Sequence, residues 1–85
     1  MPYEVRFTDA ALEDIEKLDK SISKRITDKL NMIASDPFSF VKKLKGYNFY
    51  RLRVGDYRVI MIIENKKMII FVVEVGHRSV IYRKY

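Results

Sequence analysis

From Tyr3 to Thr8 (YEVRFT) apolar and polar side chains alternate, which predicts a strand with one buried face. At Thr8 the period changes. Ala11, Ile15 and Leu18 recur at i, i+4 and i+7, and Ile22, Ile26, Leu30 and Ile33 continue a helical stripe. Thr8 and Ser21 are placed to cap two helices, with Asp9, Glu13 and Asp14 suitably negative near the start of the first. A break around Asp19 to Ser21 separates them. Asp36-Pro37 closes the second, because proline disfavours helix at the residue before it. The stripes are aliphatic and hold no pair of ligands or catalytic groups, so they predict the core side of an antiparallel αα-hairpin.

Alternation returns after a connector, Phe38 to Asn48 (FSFVKKLKGYN), that is basic in its middle. Strands are expected at about Phe49–Val54, Tyr57–Glu64 and Lys67–Val75, with two-residue turns at Gly55-Asp56 and Asn65-Lys66. The order is βααβββ. It predicts one α+β domain over residues 1–85, a helical hairpin packed on one face of a small antiparallel sheet.

Strict pairing through those turns sorts the side chains. Tyr50, Leu52, Val54, Tyr57, Val59, Met61, Ile63, Met68, Ile70 and Val72 take the core face. Phe49, Arg51, Arg53, Arg58, Ile60, Ile62, Phe71, Val73 and Val75 take the other, with Arg53 opposite Arg58 and Arg58 opposite Val73. Like charges directly opposite cost up to about 1 kcal/mol in a sheet. Either the three stems merely cover apolar surface with their heads in water, or the face is built for phosphate, whose oxygens guanidinium forks match. The apolar residues beside them have no helix left to cover them, which predicts a protein partner or a covering C-terminal segment.

Composition narrows the chemistry. No cysteine and a single histidine, His77, leave no thiolate site and little basis for a zinc site. MPYEVRFTDA has no signal-peptide pattern, and no apolar run is long enough to span a bilayer, so a cytoplasmic location is expected. Charge is uneven. Residues 1–40 carry six Lys/Arg against eight Asp/Glu, a net −2, whereas residues 41–85 carry eleven against three, a net +8. That asymmetry points to a surface facing nucleic acid or an acidic protein, the alternative being a merely solvated lysine-rich surface.

The last stretch, VGHRSVIYRKY, adds candidates. Strict register puts His77 on the arginine face and Arg78 behind it, and a one-residue bulge near Gly76 would exchange them. Tyr82 and Tyr85 offer rings for base stacking, or simply for packing.

The strings KLKG, YRLRVGDYRVI and VGHRSVIYR, spread between Lys43 and Arg83, resemble the RelE branch of the RelE/ParE toxin superfamily, and FTDAALEDIEKL resembles its opening strand and helix. The resemblance covers essentially the whole chain. It implies the toxin of a type II toxin–antitoxin pair: a metal-independent, cofactor-free endoribonuclease that cuts mRNA in the ribosomal A site and halts translation. In that mechanism the ribose 2′-hydroxyl attacks its own 3′-phosphate and releases a 5′-hydroxyl fragment. By position, Arg58 and Arg78 would hold the scissile phosphate, Arg53 would stabilise the transition state, and Tyr82 would stack on or orient the reacting nucleotide. Arg51, Lys43, Lys45 and His77 would contact RNA.

Arg51 and Arg53 stand where well-studied relatives have lysines. Arginine is a poor general base, with a pKa above about 12, which leaves His77 as a candidate proton acceptor or as a structural strand-end residue. Only three residues follow Tyr82, so any C-terminal helix is expected to be rudimentary. The resemblance also implies a cognate antitoxin, expected on Ile60, Ile62, Phe71 and Val73, through which the complex would bind operator DNA. Two other functions share the fold: a ParE-like gyrase poison, and a non-catalytic antitoxin-binding co-repressor.

Overall fold

A computed structural model of the chain describes residues 2–85. Strand β1 (Glu4–Phe7) leads into helix α1 (Asp9–Glu16) and helix α2 (Lys20–Ile33). A 3-10 turn (Pro37–Ser39) and a short strand β2 (Lys42–Lys43) occupy the connector. Strands β3 (Tyr50–Val54), β4 (Tyr57–Glu64) and β5 (Ile69–His77) follow, and helix α3 (Arg78–Lys84) closes the chain. The α+β class and the helical hairpin on one face of the sheet are as expected. The sheet is mixed rather than wholly antiparallel: its order is β1-β5-β4-β3-β2, and β1 runs parallel to β5, with Val5 beside Ile70.

Periodicity translates directly into burial. Ala11, Ile26, Leu30 and Ile33 from the helices meet Leu52, Val54, Val59, Met61, Ile70 and Val72 from the sheet, all nearly or fully buried. Thr8 caps α1 as expected, its Oγ1 accepting from Ala11 N at 3.1 Å. The second cap is Asp19 rather than Ser21, and its side chain makes no cap hydrogen bond. Beyond Phe7, β5 has no strand on its β1 side. The Asp14 carboxylate of α1 accepts the Val75 N–H there at 3.0 Å, so a side chain completes the strand's hydrogen bonding.

The β3–β4 hairpin has the expected register, with Arg53 opposite Arg58 around Gly55, whose φ of 57° suits glycine. The next hairpin departs from expectation. Its loop is the four residues 65–68, with Glu64 opposite Ile69. A two-residue turn of the primed kind needs left-handed backbone at its centre, to which lysine is poorly suited; here Met68 takes that conformation, φ 54°. The strand therefore starts two residues later than expected. A bulge between Ile60 and Met61 then leaves Val73 as an extra residue on β5, and Arg58 comes to lie opposite Gly76 instead of Val73.

The bulge reverses the facing of everything after it. Val75, expected beside the arginines, is buried in the main core. Glu74 pairs with Ile60 on the arginine face. That face is also not bare. The C-terminal helix lies across it, Ile81 and Ile60 are 1% and 0% exposed, and a Cβ on Gly76 would stand 3.3 Å from Ile81 Cδ1. Close approach of α3 to β5 thus relies on glycine.

Candidate RNA-facing site

The bulge decides which of two neighbouring residues joins the arginines. His77 pairs with Tyr57 and meets its ring edge-on at 5.6 Å, on the side away from Arg58. Its Nδ1 caps α3, lying 2.9 Å from Ser79 Oγ and accepting from Ser79 N at 3.3 Å. Arg78 turns the other way. With Arg58, Ser79, Tyr82 and Arg83 it lines an open cavity of about 460 Å³. A helix places residues four apart on one side, so Arg78 brings Tyr82 with it; the Tyr82 ring is 75% exposed.

A smaller cavity of about 100 Å³, lined by Leu44, Arg51, Arg58, Ile81, Tyr82 and Tyr85, adjoins it through the shared Arg58 and Tyr82. Arg58 is the hinge of the site. Its Nε is shut off from solvent without a hydrogen-bond partner. Burial, and then the charges of Arg51, Arg53 and Arg78, pull its pKa below the ordinary arginine value. No ion pair neutralises these four arginines among the described residues. The cluster is therefore a concentrated positive field that an anion would relieve.

Other candidates are placed differently. Arg53 lines neither cavity. It opens onto a groove at the sheet edge together with Arg25 and Lys29 of α2. Lys43 and Lys45 belong to the loop wall formed by residues 43–48, beside the site through Leu44. Ile60, expected to meet an antitoxin, is fully buried and offers no surface in the free chain, whereas Ile62, Phe71 and Val73 are half-buried. Tyr85, considered for stacking, is a packing residue. Its ring meets Tyr47 and Phe49 edge-on at 5.6 and 5.7 Å, and its hydroxyl donates to Glu74 Oε1 at 2.8 Å. Glu74 also pairs with Lys84. Burial and the Glu74 carboxylate together push the Tyr85 phenol up to about 12.

Two lining residues, Ser79 and Arg83, are not among those the sequence singles out. Their signal is nonetheless present: on a helix begun at Arg78, residues 78, 79, 82 and 83 share one side.

The family model for the ParE toxin of the type II toxin–antitoxin system parDE matches residues 5–82, and this chain belongs to that family. Toxin RelG of Mycobacterium tuberculosis is 30% identical over 87 residues, covering 99% of this chain and 100% of that protein. The mRNA interferase toxin RelE of Escherichia coli K12 is 30% identical over 82 residues, 93% of this chain and 86% of that one. Among solved structures, the RelBE2 toxin–antitoxin complex of M. tuberculosis superposes with a TM-score of 0.86 at 27% identity, covering 92% of this chain and 100% of its counterpart. The archaeal RelE–RelB complex of Pyrococcus horikoshii gives 0.78 at 28% identity, with 93% and 98% covered. Within the superfamily the chain is a type II toxin of RelE type. No helix among its described residues is long and apolar enough to cross a membrane.

Proposed function

We propose that the chain is a ribosome-dependent endoribonuclease that cuts mRNA by attack of a ribose 2′-oxygen on the adjacent phosphate. The observation that carries this is the convergence of Arg58, Arg78 and Tyr82 on one solvent-open cavity. Negative charge builds on the phosphorane oxygens as the 2′-oxygen bonds to phosphorus and gives its proton to water. It passes to the 5′-oxygen, which takes a proton from water, as that bond breaks. Arg58 and Arg78 supply fixed positive charge there. Tyr82, exposed on α3 above Arg58, supplies a ring to stack on the nucleotide and hold the 2′-oxygen in line. Arg51 and Arg53 hold the flanking backbone. None of the groups lining the cavity is an imidazole or a carboxylate. Charge neutralisation and alignment therefore carry more of the rate than general-base catalysis. An antitoxin covering the site would silence it, and relatives whose structures contain RelB support such a partner here.

The matched family model is named for ParE, which sustains a second reading: a poison of a protein target that performs no RNA chemistry. Primer extension on a defined mRNA in a translation extract separates the two. New 5′ ends in codon phase, absent from untranslated mRNA and reduced at least ~100-fold by Arg58→Ala, are expected of the nuclease. Intact mRNA in every lane would reject it and turn attention to gyrase inhibition.

A further inference from the structure

The arginine row does not stop at the cavity. Arg53 stands opposite Arg58 across β3 and β4, yet its side chain lines a separate groove of about 400 Å³ with Arg25, Asp28, Lys29, Met32, Val54 and Gly55. Arg25 and Lys29 are one helical turn apart on α2, so they lie along one line. The Arg25 guanidinium lies against the β3–β4 turn, where a Cβ on Gly55 would be 3.1 Å from Nη2. Lys29 Nζ sits 5.5 Å above the Phe40 ring. The acid in the groove is already engaged, with Asp28 bonded to Lys24 at 2.7 Å. Among the described residues Arg25, Lys29 and Arg53 have no carboxylate within ion-pair distance.

We infer that the groove formed by Arg25, Lys29 and Arg53 is a second phosphate-binding segment, which takes the single-stranded RNA backbone as it leaves the Arg58 cavity around the β3–β4 turn. The reading rests on an RNA-facing arginine row, with Arg53 as the link between the two segments. Contacts of this kind position a strand without reading its sequence. A short RNA filling only the cavity would not reach the groove, whereas a longer one would engage both.

The test is binding rather than cleavage. Fluorescence anisotropy would compare labelled 2′-deoxy-substituted oligonucleotides of about four and about twelve nucleotides, across about 50 to 200 mM salt. Arg25→Gln/Lys29→Gln is expected to weaken the longer ligand several-fold and to flatten its salt dependence. The log–log slope should fall by about 1.4, or ~0.7 for each single-strand phosphate that is no longer neutralised. The shorter ligand should bind as it does to the wild type. A control, Lys17→Gln/Lys20→Gln, removes the same charge elsewhere and should leave the slope unchanged. Equal losses for both lengths, or the same loss in the control, would reduce the effect to net charge and overturn the inference. Unaltered RNA binding with weakened binding of an acidic peptide would assign the groove to a protein partner instead. Failure of mRNA cleavage in the primer-extension experiment is a separate result, because the ligands here cannot be cut.

Discussion

Arg58 holds its guanidinium by a geometry that lysine cannot copy, since its Nε is enclosed while the side chain lines the cavity shared with Arg78 and Tyr82. Arg58→Lys keeps the charge and loses the fork. Loss of one charge-assisted bond, about 1.5–3 kcal/mol, predicts single-turnover cleavage slowed by ~10- to 100-fold. Tyr85 supports a pH prediction. Its phenol is raised to about 12 from an ordinary value near 10, so folding favours the neutral form. The stabilisation is complete below about pH 10 and is lost as pH rises through about 12. Phenolate absorbance during an alkaline titration should show a step near pH 12 that is absent in Tyr85→Phe, and α3 should loosen over the same range. Much at this scale is legible in the sequence. Alternation alone places Arg51, Arg53 and Arg58 on one face, because the Gly55-Asp56 turn fixes that register. The environment of Tyr85 is not legible, because it depends on Glu74, which a bulge moves to that face.

The elements are legible where one local signal decides them. The α1 stripe, the Thr8 cap and the Gly55-Asp56 hairpin each follow from a few neighbouring residues. The β4–β5 pairing depends instead on which loop residue accepts left-handed backbone and on a bulge with no mark in the residue types around Val73. The seven-residue helix α3, rudimentary by expectation, is capped by His77, anchored by Ile81 and tied at its end by Lys84 and Tyr85 to Glu74. Side chains also fasten β5. Asp14→Ala would leave the Val75 N–H without its acceptor in a part-buried setting, predicting a loss of about 1–3 kcal/mol by urea unfolding.

At the scale of the molecule, a net +6 is divided into an almost balanced N-terminal half and a strongly basic C-terminal half. The basic half concentrates charge at Arg51, Arg53, Arg58 and Arg78, where no carboxylate among the described residues answers it. Salt screens such repulsion. Thermal unfolding is therefore expected at a higher temperature as NaCl is raised through moderate concentrations, and Arg53→Gln should show a smaller rise. A melting point that falls with salt would mean that attraction dominates the surface. The asymmetry is plain from sequence, but its division into a cavity and an edge groove requires the tertiary path of α2 past the β3–β4 turn. The single extra residue at Val73 has a wider consequence. A β-strand stores facing as parity, odd or even. Deleting Val73 itself would only heal the bulge, whereas one codon inserted in frame after it would slip the residues from Glu74 onward by one place against β4 and exchange His77 and Arg78 between the two sides of the sheet. Every residue of the site would still be encoded, and the site would be gone. In this fold the function can be lost by miscounting as readily as by misspelling.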